Sequence, residues 1–301
     1  MLHRWSKIIH HGGIFGGSIT KSVLRAAIMC GFATAIYAPA FAATGTADDP
    51  ALAAVITGPQ RTPAFEARDK YRHPLQTLEF FGIRPDMTVV EVLPGAGWFT
   101  EILAPYLKDH GQLIEATEPL SSADPYARKM AMMFQKKLSS DPQVYKNVLL
   151  TPFDPPNYMP LGAPDSADMV VIFDNLHDLV YLNTHREVSD LEMQAFLRSA
   201  YQTLKPGGVL GVVEHRAKPG SDVSDTIAAG RMPEAYMVLQ AKKAGFQLAA
   251  TSEINANPKD DSTYPVWFLP PTLEQGDKDR AKYLAIGESD AMTLRFVKPN
   301  P

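Results

Sequence analysis

The segment Val89-Val-Glu-Val-Leu-Pro-Gly-Ala-Gly-Trp-Phe-Thr-Glu-Ile-Leu103 constrains the fold more than any other stretch of the chain. A valine-rich run reads as a buried strand, Pro94-Gly95-Ala96-Gly97 breaks it, and a helical pattern follows at once. A strand that passes through glycines straight into a helix opens a βαβ unit, which needs a parallel sheet with helices on its faces. The alternation continues downstream. Strands are expected at 112–116, 148–152, 167–173, 209–213, 246–252 and 292–297, and helices at 98–107, 126–138, 191–204 and 233–244. Between the last two strands there is no simple helical crossover, only a Pro- and Asp-rich excursion from Asn255 to Asp290. The expected class is α/β, a Rossmann-like doubly wound domain over residues 83–301.

Two further segments precede it. Residues 1–42 carry Arg4, Lys7, Lys21 and Arg25, no acidic residue, an apolar stretch from Ala26 to Tyr37, and Ala40-Phe41-Ala42. That order matches a secretory signal peptide cut after Ala42, which predicts export to the periplasm and no membrane span after cleavage. Cys30, the one cysteine, lies in this leader, so the mature chain is expected to be free of thiols. Residues 43–82 are read as an arm and helical extension: 43–63 loosely held with one short helix at 50–56, then helical stretches at 64–71 and from Pro74 to Gly82. A net charge of −4, which becomes more negative without the basic leader, argues against nucleic acid and leaves a small molecule as the expected partner.

The glycine junction is where such a sheet binds ligands, and free N–H groups at the following helix suit an anionic group. Thr100 stands where a dinucleotide site needs a third small residue, which disfavours a nicotinamide oxidoreductase. Glu91 is an acid inside a buried strand. Burying a carboxylate costs several kcal/mol unless it is paired, so a ligand ammonium would suit it.

On these residues the chain resembles the class I S-adenosylmethionine-dependent methyltransferases, in particular a bacterial branch of exported predicted methyltransferases. The resemblance is carried by Arg68-Asp-Lys-Tyr-Arg-His-Pro74, Phe80-Phe-Gly-Ile-Arg-Pro85, Glu91 to Thr100, Leu204-Lys-Pro-Gly-Gly208, Val213-Glu-His-Arg216, Ala244-Gly-Phe246 and Leu294 to Pro299. It implies seven strands in the order 3-2-1-4-5-7-6 with strand 7 antiparallel, and S-adenosylmethionine as cofactor. It further implies that Glu91, Gly95 and Gly97 hold the methionine end, that Pro94 and Trp98 also meet the cofactor, and that Glu118 grips the ribose although Thr117 occupies the usual acidic place. Asp154 is implied to face the adenine. Leu93 departs from the pattern, since the class has glycine there.

Methyl transfer is mostly positioning, with deprotonation of an O–H or N–H acceptor. Asp174 and Asn175 follow the fourth strand and can meet the cofactor; His177 is a candidate base with Asp178 orienting it. His215, at the end of the fifth strand, has a similar case, and Arg72-His73 can fold over the site. No metal is expected: Asn257-Pro-Lys-Asp-Asp261 reads as a solvated turn, His110 and His185 as surface residues, and Met130, Met132 and Met133 as core packing. The rival readings are an exported binding protein that keeps the scaffold without transfer, and the disfavoured NAD-dependent oxidoreductase.

Overall fold

A computed structural model describes residues 49–157, 159–182, 185 and 187–301. The expected leader, 1–42, lies outside the described residues. The central sheet contains β1 (Thr88–Val92), β2 (Gln112–Thr117), β3 (Leu149–Pro152), β4 (Ala167–Phe173), β5 (Leu204–His215), β6 (Gln247–Ser252) and β7 (Ala291–Val297). Their spatial order is β3-β2-β1-β4-β5-β7-β6. β1 to β5 run parallel to one another, and β7 runs antiparallel to both β5 and β6. The expected order and the antiparallel strand are both present.

Alternation along the strands splits the core in two. Val90, Val92, Val170, Ile172, Leu210 and Val212 point to one face, packed under Phe196 and Leu197 of helix Leu191–Thr203 and Met237 and Ala241 of helix Glu234–Lys243. Val89, Met169, Val171 and Val213 point to the other, under Ile102 and Leu103 of helix Thr100–Leu107 and Leu52, Leu78 and Phe81 of the N-terminal extension. Apolar residues on both faces are what parallel strands require.

The extension corrects the reading of a loose arm. Leu52 in helix Pro50–Ile56 is fully buried. Asp49 caps that helix, accepts a 2.5 Å hydrogen bond from the Tyr106 hydroxyl, and donates its own N–H to Glu79 at 2.9 Å. Phe81, in helix Pro74–Phe81, lies so close to β5 that a Cβ on Gly211 would fall 2.7 Å from its ring. Glycine is therefore required at that strand position, and residues 49–82 share the core with the sheet. The single helix expected at 64–71 is instead two one-turn helices, Pro63–Glu66 and Asp69–Arg72. Lys205-Pro-Gly-Gly208, expected to lie before the strand, belongs to β5, where the register with β4 shifts between Ala167 and Met169.

Candidate functional site

A cavity of about 220 Å³ opens at the carboxyl ends of β1, β2, β4 and β5. Its floor is the glycine turn. Leu93 stands in the left-handed region at φ 53°, as do Gly95 at 59° and Gly97 at 79°. The Leu93 N–H donates to Ala116 and its carbonyl accepts from Asn175 Nδ2, so the strands on either side hold it there. A leucine in that conformation costs about 1–2 kcal/mol relative to glycine. The turn keeps a glycine-type backbone at the position where the class has glycine. The two glycines differ. A Cβ on Gly95 would meet nothing within 4 Å, whereas one on Gly97 would meet Lys137 and Phe134 at 3.3 Å. Gly95 lines the cavity, and Gly97 serves the packing of helix Pro125–Ser140.

Beneath the turn, Glu91 is 2% exposed and accepts a 2.9 Å hydrogen bond from the Thr100 hydroxyl. Directly across the parallel pair stands Glu115, fully buried. Neither Glu115 oxygen has a hydrogen-bond partner among the described residues. Burial pushes Glu91 up to about 7, against the lowering influence of Glu115 and Thr100. Glu115 is driven well above the ordinary carboxylate range by burial first and the Glu91 charge second. Two adjoining carboxyls without a buried cation cannot both ionise, so the pair retains a proton. Glu115 was not singled out from the sequence, although an acid inside Leu113-Ile-Glu-Ala116 was the available signal.

The β4 and β5 ends carry the titratable cluster. His177 Nδ1 donates to Glu214 Oε1 at 2.8 Å. The same oxygen accepts from His215 N at 2.9 Å, and Oε2 accepts from the N–H groups of Leu176 and His177 at 2.6 and 3.2 Å. Glu214 is thus the orienting carboxylate. Asp178, expected in that role, is 3.9 Å from the other ring nitrogen and half exposed. Burial alone would lower His177, but the charges of Glu214, Asp178 and Asp174 carry it up to about 9. His215 goes the other way: burial takes it down to about 3, with His177, Arg231 and Arg72 adding to the shift and Glu214 opposing it. At neutral pH the pair is one imidazolium and one neutral ring. Their centroids are 5.5 Å apart, and Ser289 Oγ lies 2.6 Å from His215 Nδ1. His177, Glu214 and His215 place ligand-type atoms within 4.8 Å of one another. Both Glu214 oxygens are already occupied by N–H donors, so the cluster is satisfied as a hydrogen-bonded assembly.

The roof comes from the two chain segments flanking the sheet. Phe65, Arg68 and Arg72 descend from the N-terminal extension; Val266, Trp267, Pro270, Pro271, Glu288 and Ser289 come from the 255–290 excursion. Arg68 grips Glu288 with two hydrogen bonds at 2.6 and 2.9 Å. Arg72 reaches Asp174 at 2.9 Å and Glu288 at 3.4 Å, its guanidinium 5.1 Å from the Trp98 ring centre. The excursion reads in the sequence as a mere connection, because its cavity residues are scattered among turn formers.

Of the residues expected at the site, the cavity brings together Glu91, Pro94, Gly95, Trp98, Glu118, Asp174, Asn175, His177, Asp178 and His215. It does not include Gly97, Thr117, Asp154 or His73. Asp154 accepts hydrogen bonds from Ser122 and Asn157, Thr117 Oγ1 faces Glu118, and His73 contacts Asn255. Met130 lines the cavity and Met132 and Met133 are exposed, in place of the core packing expected for all three. Asp260 is not a solvated turn residue; it is buried against Arg231 at 2.9 Å.

No family model and no curated protein matches the chain. Solved structures do. The cyclase SpnF superposes with a TM-score of 0.51 at 15% identity, over 76% of this chain and 81% of that one. The fold is the Rossmann-like methyltransferase fold. A SAM-dependent methyltransferase from Aquifex aeolicus aligns at TM-score 0.49 and 15% identity, over 77% of this chain and 93% of that one. The glycopeptide N-methyltransferase MtfA aligns at 0.46 and 14%, over 79% and 100%. A fold shared at this level of identity leaves chemistry to the site.

Proposed function

We propose that this protein binds S-adenosylmethionine and transfers methyl groups to a small acceptor, and that it works in the cell envelope. The observation that carries the cofactor is Glu91: a buried carboxyl without a cation among the described residues, beneath an open glycine turn at the switch point between β1 and β4. An α-ammonium group is the partner such a carboxyl lacks. Gly95 leaves room for the ligand's backbone-like end, and Glu118 stands after β2 where a ribose diol would lie. Asp154 is withdrawn from the adenine role, and Tyr126 and Met130 take the corresponding wall. The cofactor supplies an electrophilic methyl on a sulfonium sulfur. The chain's own part is to orient the acceptor, with the His177 imidazolium, fixed by Glu214, as a donor to it and the neutral His215 ring beside it, in place of the base expected at His177. Export rests on the leader sequence.

The Glu91 site predicts proton-linked binding. Below pH 7 Glu91 is mostly neutral, and an ammonium ligand draws it to the carboxylate, so binding releases a proton. Calorimetry of S-adenosylhomocysteine binding at pH 6, in two buffers of different ionisation enthalpy, is expected to show release of close to one proton. Glu91→Gln is expected to abolish that release and weaken binding by roughly tenfold or more, about 1.4 kcal/mol per decade. Buffer-independent heats with the unaltered protein would contradict the reading. The ligand-free protein has the complementary signature. A carboxyl raised from 4.5 to about 7 contributes stability at low pH that fades as pH rises through that interval. Melting temperature should therefore fall between pH 5 and pH 8, less so in Glu91→Gln and less so with ligand bound.

A further inference from the structure

Sheet order arranges the cavity as a row. Glu118 follows β2, Glu91 and the glycine turn follow β1, Asp174 to Asp178 follow β4, and His215 ends β5. If the cofactor occupies the β2 and β1 end, the acceptor is left the β4 and β5 end. The wall there is Trp267, whose ring lies against Gly230 close to the Met232–His215 hydrogen bond, together with the Pro270-Pro271 pair that follows it in the chain. The charges in the roof neutralise one another: Arg68 with Glu288, and Arg72 with Asp174 and Glu288. An acceptor carrying a carboxylate or phosphate finds no unpaired guanidinium, and an ammonium acceptor meets the His177 ring held beside Glu214. What this end offers is the Trp267 face and the prolines beside the hydrogen-bonding groups of His177 and of His215 with Ser289.

We propose that the acceptor is a small phenol, its ring against Trp267 and the Pro270-Pro271 pair and its hydroxyl against His177 and His215. The methylation chemistry rests on the cofactor reading above; the binding does not. When the hydroxyl oxygen takes the methyl group, an oxygen lone pair becomes the new O–C bond, the C–S pair stays on sulfur, and the O–H pair returns to oxygen as the proton leaves to solvent. The Trp267 face favours a flat ring over an alicyclic one, and the histidine end favours a ring that carries a hydroxyl.

The test uses the purified protein and three probes of similar size: 4-nitrophenol, nitrobenzene and cyclohexanol. Each is titrated calorimetrically, with and without S-adenosylhomocysteine. The expected result is that 4-nitrophenol binds roughly tenfold tighter than either control, since one hydrogen bond to a charged group or one stacked ring is worth about a decade. His177→Gln keeps a donor for Glu214 and so preserves the fold; it should lose most of the preference over nitrobenzene. Trp267→Leu should lose the preference over cyclohexanol. Should 4-nitrophenol bind no tighter than both controls, the acceptor assignment is wrong, whether or not S-adenosylhomocysteine binds. The phenol preference without S-adenosylhomocysteine binding would uphold the assignment and overturn the cofactor reading instead.

Discussion

Gly95→Val is expected to abolish measurable S-adenosylhomocysteine binding, a loss of at least roughly 100-fold or about 2.7 kcal/mol, while the domain stays folded. The branched side chain would stand in the cavity, because the space around a Cβ at this position is empty of protein atoms. The structural penalty is limited to the left-handed backbone at φ 59°, about 1–2 kcal/mol. Gly97→Val is the internal control and should show the opposite balance. Its Cβ meets Lys137 and Phe134, so overpacking adds about 1–3 kcal/mol to a similar backbone strain, and the main effect falls on stability. Melting curves and binding isotherms on both variants separate the two roles. Unchanged affinity in Gly95→Val would reduce the glycine junction to a turn.

Arg231→Met is expected to be the most destabilising of the substitutions considered, by about 3–5 kcal/mol, a fall in melting temperature on the order of 10 °C. Arg231 is 1% exposed and ties three segments together. Its guanidinium donates to the Tyr264 carbonyl at 2.9 Å, the Arg216 carbonyl at 3.2 Å and Asp260 Oδ1 at 3.1 Å. Asp260 in turn accepts from the N–H groups of Ser262 and Asp290. Methionine fills a similar volume but leaves a buried carboxylate without its cation, and the uncompensated charge rather than the lost contact dominates. Asp260→Asn in the Arg231→Met background should recover part of the loss, since it removes that charge. Urea titration of the three proteins checks the order. A loss below about 1 kcal/mol would show that Asp260 finds solvent when Arg231 is gone. The same variant should weaken ligand binding, because Arg231 anchors the excursion that carries Trp267 and Glu288 into the roof.

The sheet was legible because its strands are buried on both faces and announce themselves as continuous apolar runs bounded by glycine and proline. Ala167 to Phe173 is read with its observed limits. The floor of the cavity was legible for a related reason: residues at strand ends are placed by the sheet itself, so Glu91, Gly95, Asp174, His177 and His215 could be assigned to one edge from strand order alone. What connects those residues was not legible. His177 has Asp178 as its sequence neighbour, yet a 3₁₀ turn at Leu176–Leu179 carries Asp178 outward and aims Nδ1 at Glu214 on the adjacent strand. Asp154 shows the same limit, because the loop after β3 turns its carboxylate back onto Ser122. The roof depends wholly on tertiary contact. Arg68 and Glu288 meet across 220 positions of chain, and no periodicity marks either one.

The central claim is that Glu91 and the glycine turn hold S-adenosylmethionine rather than a dinucleotide or no ligand. Equilibrium titration of the purified protein with S-adenosylhomocysteine and with NAD tests it most directly. Saturable one-to-one binding of S-adenosylhomocysteine that is lost in Gly95→Val is expected, with no binding of NAD at the same concentrations. Binding of NAD alone, or of neither ligand, would contradict the claim.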